Sequence, residues 1–185
     1  VGPDLTHAGS EEGWIAKVNA TGSALVYCGY VGGTAEDRGN GVAVDVSGNA
    51  YVVGQTRSAE TNSFPVIVGP DVTHNSGGLY DAFIAKVNAA GTGFTYCGYL
   101  GGANADYGKS IAVDAAGNAY LTGQTVSPET SFPVSIGPDL TFNSVGLDDA
   151  FVAKVNASGL GLDYCGYIGG SSYDYGYGIA VDAAG

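Results

Sequence analysis

Short apolar runs recur along the chain and are separated by turns rich in Gly, Asn and Asp. The phrase AKVN begins at positions 16, 85 and 153, which gives spacings of 69 and 68 residues. A fixed period of this kind is the signature of a tandem-repeat architecture. Because runs of this length bounded by turn residues are typical of strands, the pattern predicts four strands per repeat, named A to D in chain order.

Strands A and B form the first predicted hairpin of each repeat. Strand A is predicted at Val42–Asp45, Ile111–Asp114 and Ile179–Asp182, and strand B at Ala50–Gly54 and Ala119–Gly123. The connection is DVSGN or DAAGN, in which an Asp side chain can bond turn amides and Gly-Asn accepts positive φ. We therefore expect a tight turn between these two strands.

Strands C and D form the second predicted hairpin. Strand C reads WIAKVN, AFIAKVN or AFVAKVN, and strand D carries the phrases YCGYVGG, YCGYLGG and YCGYIGG. Strands A and C are apolar at nearly every position, which predicts sheets covered on both faces. The fold class is therefore all-β, with four-stranded antiparallel blades in tandem that are β-propeller-like, either as part of a closed propeller or as an open, filamentous array.

Several phrases together resemble the bacterial SBBP β-propeller repeat: GIAVDAAG, NAYLTGQT, SFPV, DAFVAKVNASG and the strand D phrase. The resemblance runs through essentially the whole chain and implies a large secreted or surface protein, a family whose members are mostly of unknown role. Two features depart from the family pattern. The segment between strands B and C, over 55–80 and 124–148, is longer than usual, and a cysteine stands where a serine or another small residue is expected.

The period divides the chain into four parts: a partial repeat over 1–40, full repeats over 41–109 and 110–177, and the start of a further repeat over 178–185. Three blades do not close a propeller around an axis. Either the chain is a window of a longer one, or the last strand A pairs with another copy. The second arrangement is heterologous and need not close, so it predicts a fibre.

Charge and composition restrict the partners and the location. Eighteen acidic groups against six basic ones give a net charge of −12, which repels phosphate backbones and anionic membranes, so nucleic-acid binding is not expected. No run of about 18 apolar residues is present to enter a membrane, and the first residues lack the features of a signal peptide. Abundant Gly, Ser, Thr, Asn and Tyr with little Lys is typical of secreted bacterial surface proteins, so we expect an extracellular or cell-surface location.

The three cysteines, Cys28, Cys97 and Cys165, repeat with the same period. Facing sheets lie about 10 Å apart and a disulfide needs Cα atoms within about 7 Å, so equivalent thiols should not pair with each other. We predict small buried side chains that behave as apolar groups. Strand D is the outer strand, however, and an uncovered edge strand attracts partners, so crosslinking between chains is the alternative.

A repeated lysine on strand C shares a face with apolar residues and therefore needs either solvent or a carboxylate. The Asp that ends strand A lies at the same end of the sheet, which predicts structural ion pairs. The groups concerned are Lys17, Lys86, Lys154, Asp45, Asp114 and Asp182.

Acidic connectors and turn asparagines offer two further candidate sites. Asp37, Asp106 and Asp174, between strands D and A, could bind calcium, although solvated turn aspartates are the favoured interpretation and the spacing matches no EF-hand. We expect no other cofactor. Asn19 and Asn156 lie in glycosylation sequons, but the same position is a turn in every repeat, which already favours Asn.

No constellation of catalytic residues repeats or stands out, so we expect no enzymatic activity. The leading hypothesis is an extracellular structural repeat protein that self-associates head to tail into a surface fibre or appendage. The alternative is a propeller-type binding module that recognises a glycan or a protein through its long loops, with the help of calcium.

Overall fold

The computed structural model describes residues 1–144, 146–183 and 185. Val145, in the second long segment, and Ala184, in the final partial repeat, lie outside the described residues. Within the described part the chain forms ten strands and one 3-10 turn, Glu60–Asn62. The strands are β1 (Gly13–Val18), β2 (Leu25–Val31), β3 (Asp37–Val44), β4 (Ala50–Thr56), β5 (Asp81–Val87), β6 (Phe94–Leu100), β7 (Asp106–Val113), β8 (Ala119–Thr125), β9 (Asp149–Val155) and β10 (Leu162–Ile168). The all-β prediction is confirmed.

The strands make three antiparallel sheets. Sheet 1 contains β1 and β2, sheet 2 has the order β3-β4-β5-β6, and sheet 3 has the order β7-β8-β9-β10. Sheets 2 and 3 therefore follow the predicted order A, B, C, D. Their registers are the same, since Tyr51 lies opposite Lys86 in sheet 2 and Tyr120 opposite Lys154 in sheet 3.

Strand A differs from the prediction in two ways. It begins earlier, at Asp37 and Asp106, so the predicted acidic connectors are the first residues of β3 and β7. The third predicted strand A is wrong, because residues 179–182 lie in no strand. Strand A is hydrogen-bonded to strand B in sheets 2 and 3, whereas residues 179–182 belong to none of the described sheets.

The sheets stack and enclose two hydrophobic cores. One lies between sheets 1 and 2 and includes Phe83 and Cys97, and the other lies between sheets 2 and 3 and includes Ile84 and Tyr96. These four side chains are fully buried. Sheet 2 is thus covered on both faces, as predicted, and each large apolar side chain placed there stabilises the stack by about 1.5–3 kcal/mol.

The long segment before strand C runs back along strand D of the same sheet. The Cys97 amide donates to the Val68 carbonyl at 2.9 Å, and Tyr99 and Asp71 exchange backbone hydrogen bonds. Sheet 3 repeats the arrangement, with the Cys165 amide donating to the Ile136 carbonyl. Strand D is the outer strand of each sheet, as predicted, and the long segment covers its edge.

Candidate functional site

The sheets interlock through a tyrosine of strand D and a glycine in the following C to D turn. A Cβ built on Gly91 would lie 2.2 Å from the Tyr27 ring, and one on Gly159 would lie 2.3 Å from the Tyr96 ring. Both glycines have positive φ, 70° and 76°, which an L side chain rarely adopts. Glycine is therefore required at this turn for two reasons: the backbone has positive φ, and the tyrosine ring occupies the space that a Cβ would need.

The same contact is incomplete at both ends of the stack. Gly22 is the equivalent turn glycine of sheet 1, and the space above it is open. Tyr164 is the equivalent ring of sheet 3 and is half-buried. At one end of the stack the turn glycine of sheet 1 has no described tyrosine ring above it. At the other end the strand D tyrosine of sheet 3 is only half-buried.

Sheet 1 presents an apolar face to solvent. Trp14 is 67% exposed, whereas Phe83 at the equivalent position of sheet 2 is fully buried. Val18 is 54% exposed, whereas its equivalent Val87 is fully buried. The difference arises because sheet 2 has sheet 1 against this face, while no other described sheet lies against the same face of sheet 1.

The outer face of sheet 3 matches the face by which sheet 2 contacts sheet 3. Ile168 is 50% exposed there, whereas its equivalent Leu100 is fully buried. The end of the chain crosses part of this face, where the Gly176 amide donates to the Gly123 carbonyl at 3.1 Å. Gly108 on β7 approaches Gly54 on β4 as closely as Gly176 approaches Gly123. Residues near 176 therefore lie against sheet 3 as β7 lies against sheet 2.

A cleft of about 550 Å³ lies between β1 and β3. Its lining includes Trp14, Ile15, Gly39 and Val42. In sheet 2, β5 is the strand that corresponds to β1, and β4 pairs with the edge of β5 that faces away from β6. The cleft therefore marks the position that strands A and B would fill beside β1.

The structure brings one predicted ion pair together. Lys86 Nζ lies 3.7 Å from Asp45 Oδ2 and 4.7 Å from the centre of the Tyr51 ring, and the Tyr51 hydroxyl donates to the same carboxylate. Burial alone would raise the pKa of Asp45, but hydrogen bonds from Asn49 and Tyr51 lower it below its usual value. The carboxylate is therefore held ionised beside the lysine.

The other two lysines depart from the prediction. Lys154 pairs with Asp163 at 3.6 Å rather than with Asp114, because the third repeat has Asp163 in the bulge beside this lysine. The Tyr120 hydroxyl donates to Asp114. Lys17 forms no ion pair with a described residue, since sheet 1 has no strand A to carry the matching aspartate. Asp182 lies in the final segment, where its backbone carbonyl accepts a hydrogen bond from the Gly185 amide.

The three cysteines are free thiols in different surroundings. Cys97 and Cys165 are fully buried, as predicted, and burial raises the pKa of Cys165 to about 12. Cys28 is exposed, contrary to the prediction, because it lies on the open face of sheet 1. A buried thiol of raised pKa is inert, so Cys28 is the reactive candidate.

The three aspartates considered for calcium act as backbone anchors. Asp37 and Asp106 are fully buried and accept hydrogen bonds from the Gly33 and Gly102 amides, both at 2.7 Å. Asp174 accepts from the Gly170 amide in the same way. Across the described residues, no group of three or more His, Cys, Asp or Glu side chains is arranged to hold a metal ion.

Sequence reasoning missed a second repeated carboxyl group, at the first residue of strand C or just before it. Asp81 and Asp149 are fully buried, and one oxygen of each has no hydrogen-bond partner in the described structure. Glu12 holds the same position in the first repeat. The sequence does contain a sign of this repeated acid, because an acidic residue recurs four positions before the AKVN phrase. It does not show that the carboxyl group is buried.

The sequon asparagines bond their own turns. Asn19 Oδ1 accepts from the Ser23 amide at 2.9 Å, and Asn156 Oδ1 accepts from the Leu160 amide at 3.2 Å. Asn88, which lies in no sequon, accepts from Thr92 in the same way. The turn therefore explains the asparagine in all three repeats, although the positive φ falls on a glycine rather than on Asn.

Comparison with protein families identifies the repeats. The model of the SBBP family, described as a beta-propeller repeat, matches residues 27–59 and 96–128. Each match begins at the first tyrosine of a strand D and continues through strands A and B of the next sheet. The match at these two segments confirms the resemblance seen in the sequence. No curated protein matches the chain.

Among the described residues, no helix has the length and apolar character needed to cross a membrane.

Proposed function

We propose that the protein is a non-enzymatic structural repeat protein of the cell exterior, whose copies stack head to tail into a fibre. The observation that carries the proposal is that the two outer faces of the stack are equivalent to the two halves of its internal interfaces. Trp14 and Gly22 correspond to residues that face a preceding sheet, whereas Tyr164 and Ile168 correspond to residues that face a following sheet.

Stacking sheet 3 of one copy on sheet 1 of the next would repeat the internal packing. The Tyr164 ring would lie under Gly22, as Tyr96 lies under Gly159. Trp14 would be buried where Phe83 is buried inside the chain. Such a contact joins two different surfaces, so it propagates and need not close.

The final segment would add to this contact. Residues near 176 already lie across sheet 3 in the manner of a strand A. In the stacked arrangement, residues 174–182 of one copy would lie at the strand A position of sheet 1 in the next copy. That position borders the cleft beside β1, where Val42 is 63% exposed.

The net charge makes assembly dependent on salt. Copies carrying −12 repel one another, and salt screens this repulsion over a Debye length of about 8 Å at physiological ionic strength. Apolar burial is not weakened by screening. Stacking should therefore strengthen as sodium chloride is added.

The alternative function, recognition of a glycan or a protein through the long loops, has less support. The segment that includes Val68 and Asp71 is fastened along strand D by backbone hydrogen bonds, which leaves less of it available to a ligand.

Sedimentation velocity and negative-stain imaging test assembly, with two matched variants. Val18→Lys places a charge on the open face of sheet 1, and Val46→Lys makes the same change in a turn where Val46 is 86% exposed. We expect filaments from the wild type and from Val46→Lys but not from Val18→Lys. Because Val18→Lys keeps an intact sheet 3, small amounts of it should cap and shorten wild-type filaments.

Two results would overturn the proposal. The first is a wild-type chain that stays monomeric at high concentration and high salt. The second is equal assembly of Val18→Lys and the wild type, which would show that any association uses another surface.

A further inference from the structure

A buried carboxyl group at the start of strand C has an oxygen without a partner. Asp81 and Asp149 are both fully buried, and the Oδ1 atom of each accepts no hydrogen bond from a described residue. Leaving a buried polar atom unpaired costs about 1–3 kcal/mol, and more if the group is charged. Repetition of the same unpaired atom in two sheets indicates a shared cause.

Each unpaired oxygen lies beside a second carboxyl group. A Cβ built on Gly101 would be 2.9 Å from Asp81 Oδ1 and 2.8 Å from Asp106 Oδ2. In sheet 3, one built on Gly169 would be 2.8 Å from Asp149 Oδ1 and 2.9 Å from Asp174 Oδ2. The first glycine of the Gly-Gly phrase after strand D therefore borders both carboxyl groups, and these distances place the two facing oxygens at most 5.7 Å (2.9 Å plus 2.8 Å) apart.

The two members of the enclosed pair have different surroundings. Asp106 accepts hydrogen bonds from the Thr125 hydroxyl, the Ser127 hydroxyl at 3.1 Å and the Gly102 amide at 2.7 Å. Asp81 Oδ2 accepts from the Asn75 amide at 2.8 Å, while Oδ1 lacks a donor. Donors favour a carboxylate, so the surroundings favour ionised Asp106 and protonated Asp81.

We infer that Asp81 and Asp106 share one proton, carried on Asp81 Oδ1 as the neutral acid, and that this proton joins strand C to the strand A that begins the next sheet. Two ionised carboxylates in one buried site repel each other strongly, and a single shared proton removes that repulsion. Asp149 and Asp174 form the corresponding pair in the next repeat, and Glu12 and Asp37 hold these positions in the first.

The direction of the pH dependence follows from the pair. Burial raises the pKa of Asp81 above its usual value and that of Asp106 to about 7, and because the two groups share one proton, these shifts belong to the pair and not to either residue. An unfolded Asp has a pKa of about 3.9, so the folded chain holds the proton more tightly than the unfolded chain. The stabilisation is complete below about pH 4 and is lost as the pH rises through about 7. The stack is therefore most stable in mildly acidic conditions.

Other titratable groups surround the pair on each packed element. They are Asp71 and His74 on the long segment, Tyr99 on β6, Tyr107 on β7, and Cys165 and Tyr167 on β10. Burial raises the pKa of the tyrosines and the cysteine, so these stay neutral across the relevant range. His74 donates a weak hydrogen bond to the Thr56 carbonyl. Its contribution to the pH dependence of the melting temperature has to be excluded, so that measurement is repeated with His74→Gln.

Asp81→Asn tests the proton directly, because its amide group resembles the protonated acid. The amide oxygen can accept from Asn75, and the amide nitrogen can donate toward Asp106. We expect the melting temperature of the wild type to fall by about 5 °C between about pH 5 and about pH 8.5. Asp81→Asn should melt as the wild type does at the lower pH and should show a clearly smaller fall. Asp163→Asn, which removes an exposed carboxylate on β10, should keep the full fall.

Asp106→Asn should behave differently from Asp81→Asn. An amide at Asp106 would set its N–H groups either against the Thr125 hydroxyl or against the Ser127 and Gly102 donors, so we expect a lower melting temperature at every pH, or failure to fold. Equal destabilisation by Asp81→Asn and Asp106→Asn at about pH 5 would overturn the inference, as would an unchanged pH dependence in Asp81→Asn.

A bound cation is the competing occupant of this pair. Addition of calcium chloride to the wild type at about pH 8.5 distinguishes the two, because a cation would replace the missing proton. A rise in melting temperature that disappears in Asp81→Asn would overturn the shared proton in favour of a metal site. An unchanged melting temperature supports the proton.

Discussion

Sheets 1 and 2 carry nearly the same strand C and strand D sequences in very different surroundings. Trp14 is 67% exposed in sheet 1, and Phe83 is fully buried in sheet 2. Cys28 is exposed, whereas Cys97, at the same point of the same phrase, is fully buried. The comparison teaches that each repeat specifies its own strands and turns, while burial depends on the neighbouring sheet, as expected where repeats contact only their neighbours.

The largest difference should appear when the two aromatic positions are truncated. Phe83→Ala removes a ring from a closed core and should lower the free energy of unfolding by about 3–5 kcal/mol. Trp14→Ala removes a mostly exposed ring and should change it by about 0.5 kcal/mol or less. Urea unfolding at low protein concentration, below the onset of assembly, measures both. Equal losses would mean that the face of sheet 1 is covered within a single chain.

The repeated cysteine provides a smaller contrast. Cys97→Ser buries a hydroxyl in an apolar core and should cost about 1–3 kcal/mol, while Cys28→Ser should be close to neutral. A thiol reagent should label Cys28 in the native chain and reach Cys97 and Cys165 only after unfolding. Protection of Cys28 upon assembly would sharpen the comparison, because stacking should give it the surroundings of Cys97. Rapid native labelling of Cys97 would contradict the packing of sheets 1 and 2.

Local features of the fold could be predicted from the sequence. The period, the order of strands A to D and the turn between strands A and B follow from short apolar runs and turn residues that are contiguous in the chain. The start of strand A at Asp37 was missed, because GN and GK in RGNG and YGKS read as turn residues and not as strand. Strand A there gains its partner from β4, which no local pattern shows.

Contacts between distant segments could not be predicted. The segment around Val68 has no strand periodicity, yet its backbone pairs with Cys97 because the edge of strand D needs partners. The pairing of Lys154 with Asp163 depended on a bulge in β10, and the meeting of Asp81 with Asp106 depended on sheet stacking. The repeated acids were visible in the sequence, but their distances were set by the fold.

The smallest expected contrast concerns the repeated lysine. Lys86 lies 3.7 Å from Asp45 and over the Tyr51 ring, in a site where its side chain is only 12% exposed, whereas Lys17 has no described ion-pair partner. Lys86→Met should lower the free energy of unfolding by about 1 kcal/mol, because Asp45 keeps its hydrogen bonds from Asn49 and Tyr51 when the lysine is removed.

Lys17→Met is the matched control, and it should change the free energy of unfolding by a few tenths of a kcal/mol at most, about the size of an ordinary surface change. Urea unfolding at low and high salt measures both variants. Equal effects at the two positions would mean that the ion pair adds nothing to sheet 2. A loss of stability in Lys17→Met that appears only at concentrations where copies assemble would instead indicate that the neighbouring copy supplies an aspartate to Lys17. In the stacked arrangement that aspartate is Asp182, in residues 174–182 of the neighbouring copy.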